Sequence, residues 1–425
     1  MKTLPYWWDT VDGQPAPSPE PRVPPSVDVA IIGAGYTGLS AARALARAGA
    51  SVVVLDRERI GWGASSRNGG QVVAGLKLDA VSLVDRYGET GARELFAEAT
   101  KAAAHLESVI AEESIDCGFA RVGHLQAAWK ASHVEAFRRE QALLGSVFNH
   151  AVRLVHRADQ AAEIGSTRYH GVLVDESSAA INPARYVRGL ADAARRGGVT
   201  ILEDAPAERI ARAGTRWSVE SRSFAIDAGD VLLATNGYTD SAAAALQRRL
   251  VPVGSYIIAT APLGADVAHA LLPRRRVAFD SKNFLYYFRV TDDRRLLFGG
   301  RAEFGTADQS STIRAAAVLH RGMLEVFPQL AEVEIEYAWS GNVAFTRDEM
   351  PHAGRLDGLY YAGGYCGHGI AMATYLGDQI ARRIAGEPIA NPLFDDHFAA
   401  IPMYSGTPWF LPLVGAYYQV KDWLQ

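Results

Sequence analysis

The sequence predicts an α/β protein in which a doubly wound parallel unit is interleaved with an α+β domain built on an antiparallel sheet. Residues 27–55 read as a buried strand, a glycine-rich turn, a helix and a second buried strand, which is one βαβ unit. Helix and strand patterns alternate again over residues 171–204. Residues 251–346 instead carry strands rich in aromatic and β-branched side chains, which are typical of an antiparallel sheet. Residues 358–386 return to the strand, glycine-rich turn and helix of the first unit.

Composition excludes several classes of protein. Of the 425 residues, 48% are hydrophobic and 21% are charged, and the net charge is −4, so nucleic acid is not an expected partner. The two cysteines, Cys117 and Cys366, are too few for a disulfide scaffold and fit a reducing compartment. The longest uncharged apolar stretch, residues 29–42, is too short to span a bilayer. We therefore expect a cytoplasmic protein without a membrane span.

The alternating patterns predict two interleaved domains with a flanking segment at each end. The predicted boundaries are residues 27–85, 182–245 and 347–395 for the parallel domain, 86–181 and 246–346 for the second domain, 1–26 for an N-terminal arm and 396–425 for a C-terminal tail. The prolines of residues 11–26 predict an extended arm, which we expect Tyr6, Trp7 and Trp8 to anchor on the protein.

Residue patterns also predict individual elements of the second domain and of the helical layers. Alanine, leucine and charge patterns predict helices over residues 84–112, 131–147, 184–197 and 313–327, and residues 121–129 are predicted to form a strand.

A glycine motif follows the first predicted strand. Gly33, Gly35 and Gly38 fill the G-x-G-x-x-G pattern, which provides a tight turn, a close backbone approach to a pyrophosphate and close packing of helix on strand. The phosphates are then expected at the positive end of the helix dipole. Asp56 follows the second strand, where an acidic residue accepts hydrogen bonds from an adenosine ribose. Together these features predict a dinucleotide site.

The loop after Asp56 favours FAD over NAD as that dinucleotide. Residues 59–71 read RIGWGASSRNGGQ, where an NAD enzyme would normally continue into another crossover helix. Ser65, Ser66 and Asn68 offer hydrogen bonds to phosphate and ribityl oxygens. Arg67 offers a positive charge to the pyrophosphate or to reduced flavin. The alternative interpretation of this loop is a flexible linker.

Four segments together resemble the D-amino-acid oxidase superfamily of FAD enzymes, and within it the gamma-glutamylputrescine oxidoreductase branch. These segments are IIGAGYTGLSAARALARAGASVVVLD, GASSRNGGQ, VLLATNGY and LYYAGGYCGHGIAMATYLGDQIA. The resemblance to the branch also rests on YTGLSAA, RIGWGASSRNGGQ, RLLFGGRAEFG, FPQL, WSGNVAFTRDEMPHAGRLDGLYYAGGY and the YY near the C-terminus. The resemblance covers nearly the whole chain after residue 27. It implies a Rossmann-like FAD-binding domain of the glutathione-reductase type and an antiparallel substrate domain. It also implies oxidation of a carbon–nitrogen bond in a small amine, giving an imine and then an aldehyde.

The resemblance further implies which residues bind FAD. They are Gly33, Gly35, Tyr36, Thr37, Gly38, Asp56, Arg57, Gly63, Ala64, Ser65, Ser66, Arg67, Asn68, Gly69, Gly70, Gln71, Ala207, Ala234, Thr235, Asn236, Gly364, Gly367, His368, Gly369 and Ile370. The helix after the turn at residues 363–369 is expected to point its positive end at the flavin pyrimidine, where reduced flavin carries negative charge.

The candidates for chemistry are fewer because the flavin itself accepts the hydride. Aromatic walls would desolvate the amine, and Tyr286 and Trp339 are our candidates among the aromatic residues of the second domain. His368 is a candidate for a hydrogen bond beside the flavin, with a capping or turn residue as the alternative. Cys366 could link flavin covalently, although a small buried thiol is the simpler interpretation.

The electron acceptor is an open question at this stage. Sarcosine-oxidase relatives carry an oxygen-activating lysine on a strand that resembles RRLLFGGR, whereas Leu296, Leu297 and Phe298 occupy the stretch here. Electrons could therefore pass to an acceptor other than oxygen, or Arg301 could supply the cation for O2.

Several alternatives remain open from the sequence. The substrate could be a D-amino acid or an N-methyl amino acid, and the chain could be an NAD(P) dehydrogenase or a non-catalytic flavoprotein. Only one nucleotide fingerprint is visible, which disfavours NAD(P). No metal-binding spacing appears, so we predict no metal. The oligomeric state is left open.

Overall fold

The computed structural model describes residues 1–11, 22–301, 308–415 and 417. Most of the proline-rich arm, the second half of the RLLFGGRAEFG segment and the end of the predicted tail lie outside these residues. The helices are α1 (Tyr6–Asp9), α2 (Tyr36–Arg47), α3 (Ala64–Arg67), α4 (Ala80–Glu112), α5 (Ala131–Ser146), α6 (Pro183–Arg196), α7 (Ala244–Gln247), α8 (Ala265–Leu271), α9 (Gln309–Val326) and α10 (Gly369–Ile384).

The strands fall into two large sheets and one small ribbon. They are β1 (Ser26–Ile32), β2 (Val52–Leu55), β3 (Gln71–Val72), β4 (His124–Ala127), β5 (Arg153–His156), β6 (Gly171–Asp175), β7 (Ala179–Ala180), β8 (Thr200–Leu202), β9 (Arg209–Ala213), β10 (Arg216–Glu220), β11 (Ala225–Leu233), β12 (Val251–Thr260), β13 (Val277–Asp280), β14 (Tyr286–Val290), β15 (Leu296–Gly300), β16 (Ile335–Phe345), β17 (His352–Leu356) and β18 (Leu359–Gly363).

The first sheet is the predicted parallel one. Its strand order is β17-β18-β11-β1-β2-β8, with parallel pairing from β18 to β8 and an antiparallel β17 at the edge. The chain runs outward from β1 to β2 and β8, then returns on the other side of β1 as β11. Ligands of such sheets bind at this reversal, beside the carboxyl ends of the two central strands. The fold therefore places a dinucleotide site after β1 and β11.

The second sheet has the order β16-β12-β15-β14-β13-β4-β6-β5 and is antiparallel apart from the β13–β4 pair. Alternate residues face opposite sides of a strand. On β4, Leu125 and Ala127 are buried in the core that helix α9 covers, whereas His124 and Gln126 point to the other face. One face of this sheet therefore builds a hydrophobic core, and the other is free to line a site.

Three predicted elements differ from the structure by several residues at their ends. Helix α9 begins at Gln309, four residues before the predicted start, because the Asp308 side chain caps it by accepting a hydrogen bond from the Ser311 amide. Helix α4 begins at Ala80, four residues before the predicted start, because Asp79 caps it by accepting a hydrogen bond from the Ser82 amide. Gly88, with φ of +67°, kinks the helix. Strand β4 spans only His124–Ala127, within the longer strand predicted over residues 121–129.

The N-terminal aromatic residues anchor the chain as expected. In helix α1, the Trp7 indole donates to the Asn68 carbonyl at 2.8 Å, and the Trp8 indole donates to Ser66 Oγ at 2.7 Å. The anchor therefore fastens directly to the glycine-rich loop. Among the helices in the described ranges, none combines the length and apolar character needed to cross a membrane.

Candidate active site

A single cavity of about 540 Å³ runs from the carboxyl ends of β1 and β11 to the free face of the second sheet. Its size is typical of a small-molecule site. The N-termini of helices α2 and α10 both open into it, through Gly35 to Thr37 and Gly367 to Ile370. Two helix N-termini give the cavity two positive backbone poles.

The first glycine motif is shaped by close backbone approaches. Gly33 has φ of +111°, and a Cβ there would lie 2.8 Å from the Ala234 carbonyl oxygen. A Cβ on Gly38 would lie 1.9 Å from the Gly33 carbonyl oxygen, so this glycine allows α2 to pack on the turn. A Cβ on Gly35 would meet Ser65 Oγ at 2.9 Å. Gly33 and Gly35 line the cavity, whereas Gly38 supports the turn from behind.

Asp56 lies at the end of β2 with its carboxylate at the cavity wall. It accepts hydrogen bonds from the backbone amides of Ala34, at 2.7 Å, and Glu58, at 2.9 Å. Burial raises its pKa, and those two hydrogen bonds oppose the rise. The neighbouring Arg57 lines the cavity but pairs with Asp240 at 3.0 Å. Two backbone hydrogen bonds thus hold Asp56 at the cavity wall, and its binding to a ribose stays a prediction from the sequence.

The loop after Asp56 folds into helix α3, and each polar side chain has a separate partner. Ser65 Oγ accepts from the Tyr36 amide at 3.0 Å, while Ser66 donates to the Gly61 carbonyl at 2.6 Å and is turned away from the cavity. The Arg67 guanidinium lies between the rings of Trp62 and Trp8, at 4.3 and 5.1 Å. Among the residues that the structure describes, it bonds backbone carbonyls but no carboxylate, and burial lowers its pKa. A charge held without an acidic partner is suited to an anionic ligand.

The end of the loop is fastened to the second sheet. The Arg289 guanidinium, which is buried, donates to the carbonyls of Gly70 and Ile181 at 2.8 and 2.9 Å. Gln71 donates to the carbonyls of Ala278 and Phe288. Gly70 therefore faces Arg289 and does not line the cavity. Sequence reasoning missed Arg289, since nothing local distinguishes it from other strand arginines.

The turn before helix α10 closes the cavity on the opposite side. Asn236 Oδ1 accepts from the Gly364 amide at 2.9 Å, which joins the turn after β11 to the turn after β18. His368 is the N-terminal capping position of α10, and its Nδ1 is buried without a hydrogen-bond partner among the described residues. Burial lowers the pKa of His368 to about 3, so the ring is neutral. An unpaired ring nitrogen at a cavity wall is a site for a ligand hydrogen bond.

Cys366 lies in the same turn and is a buried, protonated thiol. Its Sγ donates to the Gly364 carbonyl at 3.2 Å, and burial raises its pKa to about 11. A thiol with a raised pKa is a poor nucleophile. This environment favours the interpretation of Cys366 as a packing residue.

The second sheet contributes the far wall, and its strand alternation separates neighbouring tyrosines. Tyr287 lines the cavity, with its hydroxyl 2.9 Å from Ser255 Oγ. Tyr286 points to the opposite face, where it packs on Phe298 at 4.9 Å and over α9. Trp339 is also absent from the cavity wall: it is buried near helix α1, and its indole donates to the Arg67 carbonyl at 2.9 Å. The structure thus moves both predicted aromatic candidates away from the cavity and brings Tyr287 there instead.

Charged side chains from separate segments complete the end of the cavity formed with the free face of the second sheet, which we call the substrate end after the role predicted for this domain. Arg301 lines the cavity with its guanidinium 4.6 Å from the Phe345 ring. Strand β15 carries no lysine, as the sequence states, but Lys77 and Lys282 reach the cavity from other segments. Burial raises the pKa of Asp280 to about 7, and Lys282 lies 3.5 Å from that carboxylate. Neither lysine could be assigned to the site from local sequence.

The site residues predicted from the sequence therefore fall into two groups, those that line the cavity and those that lie behind its wall. Those that line the cavity are Gly33, Gly35, Tyr36, Thr37, Asp56, Arg57, Gly63, Ala64, Ser65, Arg67, Asn68, Gly69, Gln71, Ala207, Ala234, Thr235, Asn236, Arg301, Gly367, His368, Gly369 and Ile370. Those that lie behind the wall are Gly38, Ser66, Gly70, Tyr286, Trp339 and Gly364. Within the described residues, no group of three or more histidine, cysteine, aspartate or glutamate side chains is arranged to hold a metal ion.

These features fit FAD. The close glycine turn at the α2 N-terminus suits a pyrophosphate, Asp56 suits a ribose, and Arg67 offers an unpaired positive charge. The unpartnered His368 Nδ1 and the α10 N-terminus also belong to the cavity wall and would offer a flavin ring a hydrogen bond and a positive pole. Bound FAD would supply the hydride acceptor.

Comparison with known proteins identifies a family of FAD enzymes, in agreement with the fit of the cavity to FAD. Residues 28–383 match the DAO family, described as FAD dependent oxidoreductase. The chain is 34% identical over 403 residues to gamma-glutamylputrescine oxidoreductase of Escherichia coli K12, covering 93% of this chain and 92% of that protein. It is 33% identical to the probable oxidoreductase OrdL of Haemophilus influenzae, covering 87% of this chain and 85% of that protein.

A solved structure shows the same fold. Glycine oxidase from Geobacillus kaustophilus superposes with a TM-score of 0.77 at 20% identity, covering 89% of this chain and 99% of that one. The match over most of the chain, the shared fold and a cavity built for a dinucleotide agree with one another. The chain therefore belongs to the DAO family of FAD-dependent oxidoreductases.

Proposed function

We propose that this enzyme oxidises a carbon–nitrogen bond of a small amine, and that gamma-glutamylputrescine or a closely related polyamine derivative is the substrate. Bound FAD would supply the hydride acceptor, and the amine that loses the hydride would be left as an iminium. Water then adds to the iminium carbon, and loss of ammonia leaves an aldehyde. The relative named gamma-glutamylputrescine oxidoreductase supports this choice of substrate.

The observation that carries the proposal is the continuity of the cavity. The same space touches the dinucleotide turn at Gly33 and the polar sheet face at His124, Gln126 and Tyr287. A substrate on that face would lie against the reactive end of an FAD that extends from the glycine turn. Proximity and exclusion of water are the main contributions the protein must make when the cofactor performs the chemistry.

The apolar part of the wall favours a neutral amine, which is the form that can lose a hydride. Burial of an amine lowers its pKa. Tyr287 and Phe279 supply such an apolar wall. Neutral His368, with its free Nδ1, orients either the flavin or the substrate by one hydrogen bond. The low pKa of His368 makes it a poor general base.

Anaerobic flavin bleaching tests the proposal. Gamma-glutamylputrescine is expected to bleach the flavin of the purified protein faster than putrescine, D-alanine or sarcosine at equal concentration. Faster bleaching by D-alanine or sarcosine would instead establish an amino-acid oxidase or dehydrogenase. Reduction by NADH alone, or no bleaching by any amine, would refute amine oxidation.

The electron acceptor is decided by a second measurement. Lys77 and Arg301 bring positive charge into the cavity, which favours reduction of O2 to superoxide and peroxide. We expect peroxide to form at a rate close to that of substrate oxidation in air. Slow peroxide formation, together with fast reduction of an artificial dye, would identify a dehydrogenase.

A further inference from the structure

Two neutral polar side chains on the free face of the second sheet have hydrogen-bonding groups that the protein does not use. We propose that His124 and Gln126 bind an amide group of the substrate, so that the enzyme prefers an amine whose chain carries an amide to a purely alkyl amine. This inference rests on the proposed function and adds the chemical feature by which that site recognises its substrate.

A buried serine fixes the tautomer of His124. Ser178 Oγ accepts a hydrogen bond from the Ala74 amide at 2.8 Å and lies 2.7 Å from His124 Nδ1. Among the described residues, His124 Nδ1 is the one acceptor for the Ser178 hydroxyl proton, so the serine donates and the ring proton is assigned to Nε2. Burial lowers the pKa of His124 to about 4, so the ring is neutral.

The Nε2–H group of His124 is available to a ligand. It bonds to no residue that the structure describes, and the ring lines the cavity. The ring is also held in position, because it stacks on Phe279 with the ring centroids 5.3 Å apart. His124 therefore presents one oriented donor.

Gln126 follows His124 by two residues on β4 and lines the same cavity. Within the described part of the chain, neither its amide oxygen nor its amide nitrogen forms a hydrogen bond. The side chain of glutamine is both a donor and an acceptor. Polar groups inside a protein normally have partners, so two neighbouring residues with free groups on one wall indicate a ligand that supplies them.

The register of the second sheet places Gln126 beyond the dinucleotide loop. Tyr287 lies against that loop, since a Cβ on Gly69 would meet its ring at 3.3 Å. Tyr287 pairs with Phe279 on β13, and Phe279 pairs with Gln126 on β4. Neighbouring strands are about 4.8 Å apart, so Gln126 lies roughly 10 Å farther along the sheet than Tyr287. This separation leaves room for a carbon chain between the amine that is oxidised and a second polar group.

The groups around His124 and Gln126 favour an uncharged partner. Asp175, which is bonded to His150 at 2.6 Å, lies opposite His124 on β6, so a carboxylate bound to His124 would face another carboxylate. An ammonium group would place a donor against the Nε2–H donor. The other charged side chains at this end of the wall have both signs: Lys77, Lys282, Arg301, Asp79, Glu140 and Asp280.

An amide meets these conditions without the cost of a misplaced charge. Its carbonyl oxygen accepts from His124 Nε2–H, and its N–H donates to the Gln126 side-chain oxygen. An alkyl chain in the same place would leave both side chains without partners, which is costly inside a protein. Gamma-glutamylputrescine contains such an amide between its acyl group and its diamine chain.

A flavin oxygen is the competing acceptor for the His124 N–H group. The charge of His124 affects the pKa of His368, so the two rings are near each other. The N-terminus of α10, however, already offers backbone N–H groups to a flavin carbonyl, and the free groups of Gln126 lie farther along the sheet. A residue that bonds the flavin alters the flavin absorbance spectrum in the absence of substrate, which distinguishes the two assignments.

The first test compares two amines that differ only in the amide. N-acetylputrescine carries the amide, and heptylamine has two methylene groups in its place. In the Gln126→Leu and His124→Phe holoenzymes, the ratio of kcat/KM for N-acetylputrescine to that for heptylamine is expected to fall about tenfold, the upper range for one hydrogen bond between neutral groups. His124→Gln, which keeps an N–H donor, should restore part of the ratio. His269→Phe, an exposed control in helix α8, should leave it unchanged.

A binding measurement separates this inference from the proposed function. N-butylacetamide keeps the amide and lacks the amine, and calorimetric titration of the holoenzyme measures its Kd without turnover. The Kd should rise about fivefold or more in Gln126→Leu and His124→Phe even if no tested amine is a substrate. No binding to the wild type, an unchanged Kd in both variants, or an equal fall of kcat/KM for both amines would overturn the inference. An equal fall with a shifted flavin spectrum in ligand-free His124→Phe would assign His124 to the flavin.

Discussion

The two ends of the cavity are built in different ways. The dinucleotide end is made of backbone: tight glycine turns, two helix N-termini and the carboxylate of Asp56. The substrate end is made of side chains that come from distant segments, such as Lys77, His124, Tyr287 and Arg301. The first end needs a fixed backbone path, whereas the second needs only side chains of suitable size and charge at the right places. We therefore expect substitutions to act on folding and FAD binding at the first end, and on selectivity at the second.

The largest effect is expected for Gly38→Ala. The added methyl group would lie 1.9 Å from the Gly33 carbonyl oxygen, so α2 must move away from the turn. We expect a loss of at least about 3 kcal/mol of stability and a protein purified without yellow colour. Flavin content and the free energy of unfolding measure this.

The same substitution at Gly145 is the control. This glycine lies in helix α5, and a Cβ there would meet nothing within 4 Å. Alanine favours a helix by up to about 1 kcal/mol over glycine, so Gly145→Ala should keep its flavin and gain slightly in stability. Equal flavin content in both variants would contradict the role given to the Gly38 contact.

Adjacent tyrosines test the substrate end. Tyr287→Phe removes a hydroxyl that lines the cavity and lies 2.9 Å from Ser255 Oγ. We expect kcat/KM for gamma-glutamylputrescine to fall about tenfold, with flavin content retained. Tyr286→Phe removes a hydroxyl on the opposite face of the same strand, and kcat/KM should stay within about twofold. A reversed order of the two effects would place Tyr286 at the substrate.

A smaller effect is expected where helix α1 supports the dinucleotide loop from outside. Trp8→Phe removes the hydrogen bond from the indole to Ser66 Oγ, at 2.7 Å. Loss of one such bond costs about 1 kcal/mol, which corresponds to FAD binding roughly fivefold weaker. Fluorescence titration of the apoprotein with FAD measures this change in the FAD dissociation constant. Trp409→Phe is the control, since Trp409 is exposed and its indole donates to the Met403 carbonyl, so the FAD affinity of this variant should match that of the wild type.

The smallest effect concerns stability and pH. Burial holds the folded-state pKa of Lys77 below its ordinary value of 10.5, so the unfolded chain binds that proton more tightly. Charged Lys77 thus destabilises the fold at neutral pH, and the penalty disappears as pH rises through the lowered pKa to 10.5. Lys77→Met should be more stable than wild type by about 1 kcal/mol at pH 7. Urea unfolding should show the difference shrinking toward pH 10; a difference that grows with pH would show that Lys77 is paired.

The sequence alone determined the architecture and the cofactor. The glycine turn, Asp56 and the Ser65–Gln71 loop are local features, because each depends on residues close together in the chain and on a strand or helix beside them. Local hydrogen bonds and dihedral preferences suffice to specify such a turn, so FAD and the two interleaved domains could be predicted.

Only the tertiary structure decided the substrate end. Residue spacing could not choose between Tyr286 and Tyr287, because which face of β14 meets the cavity depends on where helix α9 packs. Spacing also gave no sign that Lys77 reaches the same cavity as Arg301, over 200 positions later in the chain. Contacts between distant segments are set by how two sheets and their helices pack, and one residue's neighbours in sequence do not encode that arrangement.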